Sequence, residues 1–167
     1  MLDFQHDILP LKNILFRTAL RIVLNREEAE DIVQDTLLKL WERRNELEHI
    51  QNLEAFALTS VRHLALDRKE KMAGRTVSLD DNNHDHTDTT SADSRIMQTE
   101  AHAFVADAIN SLPEKQRAIM QLRDIEGKNY KEIAELLSIT ESDVKVSLFR
   151  ARNTIKEKIL QKKSFFL

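Results

Sequence analysis

The 167 residues contain no cysteine, which excludes disulfides, thiolate metal sites and cysteine nucleophiles together. Two glycines and two prolines supply too little turn chemistry for a protein of many short strands. No apolar run approaches the roughly 18 residues of a membrane span, and the N-terminus lacks the pattern of a signal peptide. Those absences point to a soluble, cytoplasmic chain. There is also no phosphate-binding glycine loop, no paired metal-ligand motif and no nucleophile beside an evident base. The chain is therefore read as a non-enzyme that needs no cofactor and no metal. What remains is helical period over long stretches, so the expected fold class is all-α, as one ordinary domain or two small ones.

Nor is there much net charge, formally only −3, but it is unevenly spread. Residues 1–72 hold 11 Lys/Arg against 13 Asp/Glu, residues 73–100 hold 2 against 6, and residues 101–167 hold 12 against 9. A local basic patch, not the overall balance, decides whether nucleic acid can bind. The acidic middle includes "AGRTVSLDDNNHDHTDTTSADS", rich in Asp, Asn, Thr and Ser and nearly devoid of apolar side chains. Such a stretch cannot bury enough surface to offset its ordering entropy. It reads as a flexible acidic linker, 73–100, between helical domains at 1–72 and 101–160, with a tail at 161–167. His84 and His86 flank Asp85 within it, but two histidines in a polar loop do not define a metal site.

In the second domain, "NYKEIAELLSIT" precedes "DVKVSLFRARNTIKEKI". Asn129 with Glu132 fits an N-cap and its capping-box partner, opening a short helix near Tyr130. Ile133, Ala134 and Leu137 give that helix a buried face. Ser138-Ile139-Thr140 is a three-residue break, in which Ser138 would take a left-handed conformation at a cost of roughly 1 kcal/mol. Thr140 with Asp143 repeats the capping pattern and opens a long helix. Val144, Leu148, Ala151, Ile155 and Ile159 form its apolar stripe, with Lys145, Arg152, Lys156 and Lys163 beside it. Two helices, a short turn and one buried set are a helix-turn-helix, whose second helix enters the DNA major groove. A solvated surface helix or a structural helical hairpin would produce much of the same pattern.

The first domain shows three amphipathic segments. "LPLKNILFRTALRIVL" turns Leu15, Phe16, Ala19, Ile22 and Val23 inward. Asn25 and Glu28 then cap a second helix whose stripe is Ala29, Ile32, Val33, Thr36, Leu37, Leu40 and Trp41. A third, "NLEAFALTSVRHLALDRKEK", can bury Phe56, Val61, Leu64 and Ala65, while Arg62, His63, Arg68, Lys69 and Lys71 make its second half positive. The polar loop before it, beside that basic helix, could hold single-stranded nucleic acid.

Taken in order, "AEDIVQDTLLKLWERR", "AFALTSVRHLALDRKEK" and "LPEKQRAIMQLRDIEGKNYKEIAELLSITESDVKVSLFRAR" resemble the extracytoplasmic-function (ECF) class of bacterial sigma factors, the promoter-recognition subunits of RNA polymerase. The resemblance covers nearly all of the chain outside the linker and the last residues. It implies that residues 1–72 correspond to sigma region 2, binding core polymerase and melting the −10 element, and residues 101–160 to region 4. By that likeness Asp31, Gln34 and Asp35 face the clamp helices of the polymerase's largest subunit. Trp41, Arg43, Arg44, the loop from Asn45 through His49 to Asn52, and Arg62, His63, Arg68 and Lys69 lie on the −10 surface. The segment from Leu112 to Arg123 packs the second domain, which docks on the polymerase flap and presents residues 141–152 to the −35 element. Exposed Lys145, Phe149, Arg150 and Arg152 are then the candidate −35 contacts. The linker would thread the active-site and RNA-exit channels, and an anti-sigma factor is a further partner common in the class.

The chain departs from the family at His63, where Asn is usual, and at Asp143 and Ser147, where Thr and Arg are more frequent. Asp143 is either only the N3 partner of Thr140 or a groove residue accepting from cytosine N4. Two other function classes fit parts of the pattern. One is a dimeric helix-turn-helix regulator with an N-terminal sensing domain; the other is a helical protein-interaction module without DNA.

Overall fold

Asn25 sits between the first two long helices and explains why there are two. It follows Leu24, whose left-handed backbone (φ 56°) ends α1, Lys12–Val23, with its N–H donated to the Leu20 carbonyl. The Asn25 side chain then accepts from the Glu28 N–H at 3.0 Å and opens α2, Arg26–Glu42, as the capping pattern predicts. The computed structural model describes the backbone of residues 1–76 and 92–165, and side chains over 1–74 and 100–164. The chain divides into two compact units.

The first unit continues through a single turn of helix, α3 at Arg44–Leu47, to α4, Leu53–Thr76. Helix α1 packs against both α2 and α4, and α2 against α4. Ala19, Ala29, Ala57 and Ala65 are fully buried between them; their small side chains let the backbones approach, while Leu15, Ile22, Ile32, Leu40 and Val61 fill the remaining space. The buried hydroxyls of Thr18 and Thr36 each donate to a carbonyl one turn back, Ile14 and Ile32, at 2.8 Å, so neither polar group is stranded.

Burial departs from the expected stripes at several positions, most of them aromatic. Phe16, Phe56 and Leu64 are only half-buried, and Ile14, Thr18, Ala57 and Leu58 occupy the core instead. The two rings lie at the rim, each under a guanidinium: Arg26 is 5.9 Å from the Phe16 ring and Arg43 5.7 Å from that of Phe56. A ring that gains a cation at its face loses little by staying partly wet.

The second half of the chain forms α5, Ala92–Asn110, α6, Glu114–Met120, α7, Tyr130–Leu137, and α8, Glu141–Phe165; all but Glu135–Ser138, at the end of α7, fall in the second unit. Helix α6 runs on into a widened turn, Gln121–Ile125, closed by the Glu126 N–H on the Gln121 carbonyl at 3.0 Å. Gly127 follows at φ +70°, the left-handed exit that a side chain resists. Helices α5 and α6 both pack on α8, around Ala108, Leu112, Ile119, Leu122, Leu148 and Ala151. Arg117, itself buried, donates to the Asn110 carbonyl at 3.2 Å and closes the end of α5.

Helices α4 and α5 reach Thr76 and back to Ala92, so helix occupies both ends of the stretch read as linker. The His84–Asp85–His86 triplet and the last two residues of the chain lie outside the described residues. Among the described residues no helix is long and apolar enough to cross a membrane.

Ser138 takes φ 55°, the left-handed turn that the sequence demands of it. Ser138→Gly should therefore raise the stability of the chain by a few tenths to about 1 kcal/mol, read as a higher denaturation midpoint at unchanged slope.

Candidate nucleic-acid interface

The turn between α7 and α8 is built from caps at both ends. Asn129 Oδ1 accepts from the Glu132 N–H at 2.8 Å and starts α7. The Ile139 N–H donates to the Ala134 carbonyl at 3.0 Å across the turn, and Thr140 Oγ1 accepts from the Asp143 N–H at 3.0 Å to start α8. Ile133 and Val144 are both fully buried, while Leu137 and Ile139 are half-buried. This is the expected helix-turn-helix, held by a core set and not by loop chemistry alone.

On α8 the buried positions Val144, Ser147, Leu148 and Ala151 take up about one-third of the circumference. Opposite them, at 100° per residue, lie Ser142, Val146, Phe149 and Asn153, all exposed. Lys145 and Arg152 flank that outer strip on one side and Arg150 on the other. Of these cations Arg152 is already engaged: its Nη2 donates to Asp124 Oδ1 at 2.7 Å, tying α8 to the widened turn after α6. Lys145 Nζ lies 5.8 Å from the Tyr130 ring, which also carries the Arg123 guanidinium at 4.9 Å. The tyrosine thus holds two cations near the start of the helix-turn-helix.

Asp143 has a role outside both of its sequence readings. Its backbone N–H is capped by Thr140, but its carboxylate pairs with Lys115 Nζ on α6 and accepts from Ser147 Oγ at 3.3 Å. The Lys115 hydrogen bond, with that lysine's charge and the Ser147 hydroxyl, holds the Asp143 carboxyl below its ordinary range. A depressed folded-state value stabilises the fold above the ordinary carboxylate pKa, and this contribution disappears as pH falls through the lowered value. Asp143→Asn should accordingly flatten the acid-side fall of the melting temperature, and Lys115→Met should do the same.

The first unit holds the other predicted residues in a less uniform way. Asn45, His49, His63 and Lys69 are exposed, and Arg62 is half-buried. Asn52 Oδ1 accepts from the Ala55 N–H at 3.0 Å, capping α4. Arg43 pairs with Glu46 at 3.0 Å. The Arg44 guanidinium lies over the neighbouring indole, 4.1 Å from the Trp41 ring, and donates to the Trp41 carbonyl at 2.9 Å. Phe4 meets the same ring edge-on at 5.6 Å.

Arg68, expected on the −10 surface, turns to α2 and bridges Glu28 and Asp31, the latter at 3.2 Å. The predicted −10 set and the predicted polymerase set therefore share an ion pair, between residues 37 apart in sequence. Gln34 and Asp35 remain exposed on α2. Gln34 borders an apolar groove of about 670 Å³ with Phe4, Gln5, Leu37, Leu38 and Trp41. Leu38 and Val146 are surface candidates that sequence reasoning misses. Each breaks the polar pattern of an outward face, and that break is the signal by which it can be found.

A helix-turn-helix with a cation-flanked outer strip, preceded by the helical unit of α1–α4, is the arrangement of a DNA-binding protein. Known proteins narrow the class. The family description "Sigma-70 region 2" matches residues 8–75, and "Sigma-70, region 4" matches residues 105–155. The sigma-H factor of Pseudomonas aeruginosa RNA polymerase is 27% identical over 96% of this chain and 84% of its own length. The ECF sigma factor SigL of Mycobacterium tuberculosis is 28% identical over 83% of this chain and 78% of its own. Among solved structures, the sigma factor RpoE of Bartonella quintana, crystallised with the anti-sigma factor NepR, covers 94% of this chain and 96% of its own, at 25% identity and TM-score 0.67. The chain belongs to the ECF class of bacterial sigma factors.

Proposed function

We propose that this chain confers promoter specificity on core RNA polymerase by dividing the work between its two units. The second unit reads the −35 element with α8. The observation that carries this is the face of α8 opposite Val144, Leu148 and Ala151, where Lys145 and Arg150 are exposed on a helix whose start is fixed by the turn. Basic side chains there neutralise phosphates, while neighbours on the same face reach base edges.

The first unit binds polymerase through α2 and holds the opened −10 strand. Asp35, Gln34 and Asp31 offer an acidic and polar rim to the clamp helices, and the apolar groove with Leu38 and Trp41 adds apolar surface beside it. Asn45 on α3 and His49 just after it, with His63 and Lys69 on α4, are exposed where an unpaired strand can lie. Arg68 acts at one remove, fixing α4 against α2 through Glu28 and Asp31.

The reading needs no covalent chemistry, metal or cofactor from the chain, and it puts the protein in the cytoplasm with the polymerase. The acidic residues between the units enter channels that normally carry a polyanion. An anti-sigma factor, the kind of partner crystallised with the Bartonella sigma factor, would act on this chain by covering these surfaces. The test is co-purification of the full chain with core polymerase, followed by run-off transcription from promoters selected by the holoenzyme. Stable complex formation and specific initiation support it. A chain that ignores polymerase but dimerises on palindromic DNA is instead a conventional regulator.

A further inference from the structure

The middle of the outer strip of α8 is apolar where a solvated helix would be polar. Phe149 is 67% exposed and Val146 44% exposed, three residues apart on one face. Neither contributes to the core, which Val144, Leu148 and Ala151 already fill on the opposite side. Exposed apolar side chains are common singly, but here two stand together with Lys145 and Arg152 on one flank and Arg150 on the other. Ser147, which lies between them in sequence, is turned inward on Asp143 and adds no hydrogen-bonding group to the strip.

We propose that Val146 and Phe149 are specificity-determining residues that read thymine C5-methyl groups on neighbouring base pairs of the −35 element. This rests on the placement of α8 in the major groove. Of the four bases only thymine presents an apolar group there, so an apolar pair between phosphate-binding cations has one chemical match in that groove. A separation of three residues advances about 4.5 Å along the helix, close to one base step of roughly 3.4 Å. Neither side chain has a donor or acceptor with which to prefer guanine or cytosine at the same positions. Sequence choice there depends on shape and methyl burial, with Lys145 and Arg150 supplying affinity.

The test uses the full chain with core polymerase and −35 duplexes enriched by that holoenzyme from a randomised pool. Each thymine in the enriched element is replaced by deoxyuridine, which removes the methyl and leaves base pairing intact. A fall of about fourfold in affinity is expected at one or two positions, the equivalent of burying one methyl-sized group. Val146→Ala and Phe149→Ala should each abolish the deoxyuridine effect at its own position, since removing either partner removes the same interaction. Because the deoxyuridine series with unaltered protein involves no variant, its outcome does not depend on how the variants fold. An enriched element lacking A·T pairs, or one whose affinity is indifferent to deoxyuridine at every position, overturns methyl reading while leaving α8 as the DNA helix. Failure to enrich any −35 sequence overturns the major-groove placement itself, and this inference with it.

Discussion

Asp35→Lys should lower the affinity of the intact chain for core RNA polymerase tenfold or more, with helicity and melting temperature close to those of the unaltered protein. Asp35 is exposed on α2, away from the stripe of Ile32, Val33, Thr36, Leu37 and Leu40 that packs the first unit. Reversal therefore changes the surface and spares the core. A charge at an interface acts through complementarity, and placing the wrong sign against a partner costs more than deleting the right one. Tenfold corresponds to about 1.4 kcal/mol. Asp31 is a less clean probe, because Asp31→Lys would also put a second cation beside Arg68. Its weaker binding should come with a lower melting temperature, and comparing the two variants separates interface from folding. Polymerase affinity unchanged by Asp35→Lys would remove this face of α2 from the proposed interface.

The second large effect lies on α8. Replacing Lys145 and Arg150 together by Ala should reduce −35 binding by roughly two orders of magnitude and lower the salt slope by about two, one for each phosphate no longer neutralised. Arg152→Ala should do less, since that guanidinium is already held by Asp124 and is only partly available to a phosphate. Asp124→Ala is the informative companion, for it releases Arg152 without touching α8 and should tighten DNA binding modestly. Equal effects of Arg150→Ala and Arg152→Ala would mean that the Asp124 pair opens on DNA. Unchanged binding by the double variant would leave α8 a solvated face.

Why some of this is legible in the sequence and some is not follows from the range of the interactions. Helix starts are local: Asn25 with Glu28, Asn129 with Glu132 and Thr140 with Asp143 each form within one turn, and all three caps are present. The left-handed Ser138 is likewise forced by the three-residue turn. The placement of Phe16 and Phe56 is a question of rim against core, which periodicity does not resolve when a guanidinium waits at the edge. The ion pairs of Arg68 with Asp31, Lys115 with Asp143 and Arg152 with Asp124 join residues 37, 28 and 28 positions apart. No short window of sequence contains both partners of such a pair. Among the residues assigned to DNA by family likeness, Arg68 and Arg152 have partners of this distant kind, which the sequence pattern could not show.

Trp41 is the only tryptophan in the chain, and Arg44 lies on its face with Phe4 at its edge. An indole's emission responds to the field of a charge at such short range, so the molecule carries one optical reporter with a single origin. The reporter borders the groove shared with Gln34 and Leu38, next to α3, whose first turn starts after Arg43. Any occupant that lifts the guanidinium from the ring, whether protein or an unpaired strand, would shift the wavelength and intensity of one fluorophore. Assembly of the first unit with its partners can thus be followed in real time on unlabelled protein, with Arg44→Met fixing the signal expected when the cation is gone.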